Sequence, residues 1–465
     1  NPTMFRHGDT IVAPATASGG ALALIRISGP DALVLCDRCF RAKRGNRLAA
    51  SEGYTAHFGT LNDPDGHFID EVIVTVFRAP ASYTGEETAE ISCHGSRWIV
   101  SAILRTLIHH GARPAEAGEF TARAFLAGKL DLSQAEAVAD LIASDNRAAH
   151  DMAATQLRGH YSDDLHALRA ELLRLAALLE LELDFSEEDV TFADRSELYR
   201  LLERIQQEIG RLTDSFALGN AIREGVAVAI VGEPNVGKST LLNRLAGDDR
   251  AMVSDIAGTT RDTVEERITI GGIGFRFIDT AGIRQSDDPL EQMGIERTYR
   301  ALDQARIVLF MADSHSTLSA EQAALLRRLT ADPDRKVALL LNKCDDPAQC
   351  PSPQLPTDIT PAITLPLSAK YGYGIDQLTG WLTDCVDASA IFSGDSVVSN
   401  VRHYDRLRHA STTLTEARRA LDEGLPTDLV AEEIRGVLRT LGEITGEITD
   451  NDILGEIFSK FCIGK

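Results

Sequence analysis

Gly232-Glu233-Pro234-Asn235-Val236-Gly237-Lys238-Ser239 sets two glycines, a lysine and a hydroxyl at the spacing G-x-x-x-x-G-K-[ST]. A loop of this kind closes backbone N–H groups around a phosphate, and the helix after it points its positive N-terminus at the same anion. Lys238 can reach the β- and γ-phosphates, and Ser239 can place its hydroxyl on Mg²⁺. Asn235, Val236, Gly237, Lys238, Ser239 and Thr240 are therefore the candidate phosphate-binding residues.

Three further motifs follow in order. Asp279-Thr280-Ala281-Gly282 closes an apolar run; the aspartate suits the Mg²⁺ shell, and the glycine N–H can report a γ-phosphate. Asn342-Lys343-Cys344-Asp345 brings a carboxylate that can accept from guanine N1 and N2, a donor pair adenine lacks. The backbone N–H groups of Ser368-Ala369-Lys370 can read guanine O6. Thr259 and Thr260 lie between the first two motifs, where a switch threonine would complete the Mg²⁺ ligands. Four motifs in this order imply a GTP site.

Hydrolysis needs a group that orients water. A glutamine serves in small GTPases of the Ras type, but the position after Gly282 is Ile283, whose apolar side chain cannot do this. Glu291, Arg261, Arg284 or a bound cation could substitute, and the plain reading of each arginine is a solvated surface charge. The Asn235 side-chain carbonyl could hold a monovalent cation against the phosphates; equally, Asn235 could simply form the turn after Pro234.

The elements that must position these groups are legible as buried strands. Residues 226–231, 275–278, 307–311 and 337–341 are apolar runs that each end at a motif or a polar residue. Such strands alternating with helices predict a parallel sheet covered on both faces. On either side the pattern turns helical. Leu165, Leu168, Leu172, Leu175 and Leu179 form one seam, and Leu198, Leu202, Ile205, Ile209, Leu212 and Phe216 another. These suit a bundle core, with a free-standing coiled coil as the alternative. Beyond 395, Thr427 or Asp428 caps a helix carrying Leu429, Ile434, Leu438 and Leu441. Residues 1–125 mix strand-length runs (21–27 and 72–77) with the turn Asp63-Pro64-Asp65-Gly66, as an α+β domain does. The expected architecture is a multidomain α/β plus α chain: an α+β domain at 1–125, a helical domain split into 126–221 and 389–465, and an α/β P-loop domain inserted at 222–388.

At 465 residues, 44% hydrophobic and 25% charged, the composition is that of a globular cytoplasmic protein, with neither a signal peptide nor a membrane span expected. A net charge of −22 argues against broad non-specific nucleic-acid binding but leaves room for a local basic face. Seven scattered cysteines read as reduced thiols, not as a disulfide framework. Cys36 and Cys39 form a lone CxxC, read as core or helix-surface residues with redox or metal chemistry as the alternative. Cys462 stands at the position of a prenylation cysteine, but Gly464 and Lys465 do not fit C-a-a-X, and the thiol could instead act as a flexible nucleophile or ligand.

The whole chain resembles the bacterial tRNA-modification GTPase family MnmE, also called TrmE. The resemblance rests on Arg26-Ile27-Ser28-Gly29, Tyr83-Thr84-Gly85-Glu86-Glu87, Glu90, Cys93-His94-Gly95, Gly118-Glu119-Phe120-Thr121, Gly128-Lys129-Leu130-Asp131-Leu132, the central motifs and the terminal Phe461-Cys462-Ile463-Gly464-Lys465. It implies a folate-binding N-terminal domain, a split helical domain and an inserted Ras-like G domain. It also implies a homodimer acting with an FAD- and NADH-dependent partner, MnmG, to install an aminomethyl or carboxymethylaminomethyl group on C5 of uridine 34 of tRNA. A tetrahydrofolate derivative such as 5-formyltetrahydrofolate is the implied one-carbon carrier.

On the matching positions, the resemblance places potassium on Asn235 with the backbone around Ser254, Ile256 and Thr259, and water positioning on Glu291. It places folate contacts on Arg26, Glu90, Lys129 and Lys465, and a role in modification on Cys462. Two segments near the implied folate pocket depart from the family pattern: Ala17-Ser18-Gly19-Gly20 is short, and His94-Gly95-Ser96 stands where His-Gly-Gly is usual. A rival reading is a regulatory switch GTPase docking on the ribosome or on RNA; it would call for a strongly basic module, and none is visible in the sequence.

Overall fold

The computed structural model describes residues 8–17, 19–45, 47–184, 195–247, 265–279, 302, 305–346, 350, 355–448, 451–461 and 464. It divides into two compact units, one of residues 1–139, 165–169 and 435–465, the other of 140–164 and 170–434.

The first unit is built on a seven-stranded sheet of order β3-β4-β5-β6-β2-β1-β7. Its strands are β1 (Ile11–Pro14), β2 (Leu22–Ser28), β3 (Phe40–Ala42), β4 (Thr55–Asn62), β5 (Phe68–Phe77), β6 (Thr88–His94) and β7 (Arg113–Pro114). Helices α1 (Ala32–Cys39) and α2 (Arg97–His109) interrupt them, and α3 (Glu119–Leu126) and α4 (Leu132–Ala143) follow. Side chains alternate across a strand. Val72, Val74 and Val76 of β5 are thus buried with Ile103 and Leu107 of α2, while Ile73 faces outward and is 46% exposed. Asp63 makes the predicted turn, its Oδ1 accepting from the N–H groups of Asp65 and His67. Cys36 and Cys39 are core residues of α1. Burial pushes both thiols up, Cys39 to about 12, which removes the thiolate that redox or metal chemistry would need.

The second unit contains a six-stranded sheet of order β13-β12-β11-β8-β10-β9. Before it come α5 (Arg147–Leu157), α6 (His160–Asp184), α7 (Arg195–Asp214) and α8 (Phe216–Glu224). The sheet and its helices run β8 (Val226–Gly232), α9 (Lys238–Gly247), β9 (Glu265–Ile270), β10 (Ile273–Asp279), β11 (Ile307–Asp313), α10 (Ala320–Thr330), β12 (Lys336–Asn342), β13 (Ile363–Pro366) and α11 (Ile375–Asp384). Every pairing is parallel except the edge hairpin β9–β10. Apolar clusters cover both faces, which is why these strands read as continuous hydrophobic runs.

After the sheet come α12 (Ser389–Ser393), α13 (Val401–Asp422), α14 (Thr427–Thr445) and α15 (Asn451–Ser459). The helix that follows the sheet packs on the one that precedes it. Gln206 of α7 donates to Ser411 of α13 at 2.8 Å, and Phe216 stacks on Tyr404 at 4.2 Å. Helices on both sides of an α/β insertion are the expected fold class, and Leu198, Leu202, Ile205, Ile209 and Leu212 of the α7 seam are buried, as a bundle core requires. Among the described residues no helix is long and apolar enough to cross a membrane.

Candidate functional site: a phosphate loop tied to a base-reading loop

Parallel strands leave their C-terminal ends on one sheet edge, the place where open α/β sheets bind ligands. Here Gly232 pairs with Met311, Asp313 with Asn342, Leu341 with Pro366 and Asp279 with Ile230. The phosphate loop, Asp279, Asn342 and the approach to Ser368 therefore share that edge.

The loop leaves little room for side chains at its glycines. A Cβ on Gly232 would lie 2.5 Å from Met311 O, and one on Gly237, at φ +107°, would lie 2.2 Å from Asn342 Nδ2. Asn235 adopts a left-handed φ of 63°, a conformation asparagine tolerates better than most residues and which fits its turn-forming reading. Lys238, 8% exposed, donates from Nζ to Gly232 O at 2.7 Å and Glu233 O at 3.1 Å. Its ammonium thus sits inside the loop that a phosphate would occupy. Ser239 presents an exposed hydroxyl at the start of α9. A hydroxyl oxygen is a ligand Mg²⁺ takes, and Asp279 closes β10 at the same sheet edge.

Asn342, 4% exposed, joins the two halves of the site. Its Nδ2 donates to Val236 O at 2.7 Å, and its Oδ1 accepts from Ala369 N–H at 3.0 Å. Lys343 has φ +67° and pairs with Asp313 at 2.8 Å. Burial would raise the Asp313 carboxyl, but the Lys343 hydrogen bond and charge outweigh it and hold the group below the usual carboxylate range. Asp345 Oδ1 accepts from Ser368 Oγ at 2.7 Å, so this carboxylate is oriented by the loop facing it. Ser368 in turn bonds Tyr373 O through its N–H. Arg244 of α9, which no motif singles out, donates to the carbonyls of Ala369 and Lys370.

One expectation fails beside this loop. Cys344 is not a free thiol: it forms a disulfide with Cys350, six residues away with Cα atoms 5.4 Å apart. That separation is within disulfide reach, and a count of scattered cysteines cannot reveal a local pair. Cys36, Cys39, Cys93 and Cys385 are free.

The first unit brings together some of the residues that the resemblance implies for folate. Arg26 and Glu90 are cross-strand partners and form an ion pair at 2.8 Å. The Arg26 guanidinium lies over the rings of Tyr83 and Phe120 at 5.2 and 5.6 Å, and its buried Nη1 has no hydrogen-bond partner. Lys129 Nζ donates to Pro80 O at 3.0 Å, and its stem lies by Gly85 in the loop that carries Tyr83. Near the chain's end, Phe458 and Phe461 close on Gly118, and Gly464 approaches Pro14 O so closely that a Cβ there would lie 2.1 Å away. Pro14 is on β1, next to the β2 strand that carries Arg26. In the two departing segments, a Cβ on Gly95 would lie 1.9 Å from Gly20 O, while buried Asp70 holds His94 through both its N–H and its Nδ1.

Ser254, Ile256, Thr259, Thr260, Arg261, Thr280, Ala281, Gly282, Ile283, Arg284, Glu291, Cys462 and Lys465 lie outside the described residues.

A mostly parallel sheet with a phosphate loop, a strand-end aspartate and an Asn-Lys-x-Asp loop tied to a Ser-Ala-Lys loop defines a P-loop GTPase of the Ras-like class. The chain hydrolyses GTP. The profile of the MnmE helical domain matches residues 132–462, and that of the GTP-binding protein TrmE N-terminus matches residues 10–129. The chain is 49% identical to the tRNA modification GTPase MnmE of Christiangramia forsetii over 99% of its own length and all of the relative's. It is 48% identical to that of Flavobacterium psychrophilum, again over 99% and 100%, and 46% identical to that of Bacteroides thetaiotaomicron over 98% and 99%. This chain belongs to the MnmE family of tRNA modification GTPases.

Proposed function

We propose that the chain is a potassium-activated GTPase that drives modification of C5 of the wobble uridine of tRNA. In this reading it acts in the cytoplasm as a homodimer with an FAD-dependent MnmG partner, which supplies the redox chemistry. A tetrahydrofolate derivative delivers the one-carbon unit. In this reading residues 1–125 serve folate binding and dimerisation, 126–221 and 389–465 form the helical domain, and 222–388 bind GTP.

The observation that carries the folate half is the Arg26 site. A guanidinium with one unpartnered buried nitrogen, flanked by two aromatic rings and paired to Glu90, suits a flat ligand bearing carboxylates. Lys129 and Lys465 would add cations, and Glu90 would take the pterin amide edge. The approach of Gly464 to β1 supports placing Cys462 and Lys465 near this site. The outward face of the same sheet exposes Leu22, Phe58 and Ile73, apolar surface of the kind a dimer covers.

In the G domain, Asn235 and the backbone of Ser254, Ile256 and Thr259 hold K⁺, Ser239 and Thr260 hold Mg²⁺, and Glu291 positions water. Steady-state GTP hydrolysis in potassium against sodium chloride at matched ionic strength tests this, with Asn235→Ala beside the parent. A large stimulation specific to potassium and lost in the variant supports the reading. Equal rates in both salts overturn it and point to a protein-borne water-orienting group.

A further inference from the structure

We infer that Arg244 is a positioning residue for guanine recognition, holding the Ser368–Lys370 loop in its base-reading shape and thereby setting how long guanine nucleotides stay bound. Arg244 lies on α9, the helix that starts at the phosphate-loop lysine, six residues beyond Lys238. Its Nε donates to Ala369 O at 3.3 Å and its Nη2 to Lys370 O. One guanidinium thus grips two successive carbonyls, the planar fork geometry that lysine could not reproduce.

The consequence follows from peptide planarity. The C=O of Ala369 and the N–H of Lys370 belong to one trans peptide and point in opposite directions. Fixing Ala369 O against Arg244 therefore turns the Lys370 N–H away from α9. The other side of Ala369 is fixed as well, because its N–H donates to Asn342 Oδ1. The loop is held from two sides, by the Asn-Lys-x-Asp strand and by the phosphate-loop helix. Between α9 and the loop opens a cavity of about 530 Å³ whose wall includes Thr240, Asn243, Arg244, Lys370 and Ile375. Thr240 follows the phosphate-binding Ser239, and Lys370 closes the base-reading motif, so this cavity lies at the base end of the nucleotide site. An exposed arginine there stabilises the loop without meeting the phosphates.

The test measures release of fluorescently labelled GDP and IDP by stopped flow from the full-length protein and from Arg244→Ala and Arg244→Gln. IDP keeps O6 but lacks the exocyclic amine that Asp345 reads. Loss of the arginine removes two hydrogen bonds from a charged donor and is expected to speed release of both nucleotides at least roughly tenfold and by the same factor. The effect should fall on KM for GTP hydrolysis and not on kcat. Glutamine, which still donates to a carbonyl, should restore release to within about threefold of the parent. The thermal midpoint of the nucleotide-free protein should stay put. Unchanged release in Arg244→Ala overturns the inference, and so does an Arg244→Gln variant that releases as fast as the alanine one.

Discussion

Asn342 Nδ2 donates to the carbonyl of Val236 at 2.7 Å across 106 residues of chain. Because the same side chain accepts from Ala369 N–H, one buried amide holds the phosphate-binding and base-reading segments together. Asn342→Ala removes both bonds and leaves a buried donor and acceptor without partners. Each such orphan costs about 1–3 kcal/mol, so GTP affinity should fall at least about tenfold. Titration with a fluorescent GTP analogue measures this, and affinity within twofold of the parent would show the bridge to be idle.

Asp345 is predicted to choose the base. Its carboxylate is oriented by Ser368 Oγ at 2.7 Å, and guanine N1–H and N2–H₂ are the donors it would accept. Asp345→Asn turns one acceptor into a donor, which opposes guanine and suits the 2-oxo group of xanthine. Losing a hydrogen bond to a charged group removes about 1.5–3 kcal/mol. GTP binding should weaken about tenfold or more while XTP binding improves. Competition between the two nucleotides reads the exchange, and an unaltered preference for GTP would place base selection elsewhere.

The strands that end at motifs were legible because each is a continuous apolar run stopped by a functional residue: 226–231 became β8 and 337–341 lies within β12. The split helical domain was legible because helical periodicity precedes the α/β unit and returns after 395, and a periodic face must be buried somewhere. What could not be read depends on tertiary approach. Arg244 has no motif of its own; only the fold brings α9 against Ala369 and Lys370. Asp70 and His94 are separated by 24 residues and meet because β5 and β6 are neighbours. The Cys344–Cys350 bond is not legible from a cysteine total, because a local pair six residues apart is a matter of loop geometry.

The first unit should lose stability in acid through Asp9. Burial favours its protonated form, yet hydrogen bonds from Arg113 and Arg123 and their charges outweigh that and hold the carboxyl below its ordinary value. A carboxyl with a lower folded than unfolded pKa contributes stability above its unfolded value, about 3.9, and loses it as pH falls through the folded value. Thermal midpoints measured from pH 6 down to pH 2.5 should therefore drop, and Asp9→Asn should start lower at pH 6 and fall less steeply. Parallel curves for the two proteins would remove Asp9 from the acid transition.

Cys462 should separate modification from GTP turnover. It lies two residues before Gly464, whose backbone sits against Pro14 in the unit that carries Arg26, whereas the GTP motifs all belong to the other unit. In the proposed function this thiol serves the one-carbon transfer and has no part in phosphate chemistry. Cys462→Ser keeps the size and a hydrogen-bonding group while giving up the readily formed thiolate. The expected result is near-normal GTP hydrolysis with modification of uridine 34 abolished, measured by mass spectrometry of nucleosides from tRNA incubated with the partner enzyme. Full modification by the serine variant would reject the role given to the thiol. Loss of both activities would reject the separation itself, because removing one sulfur at the chain's end should not reach the phosphate loop.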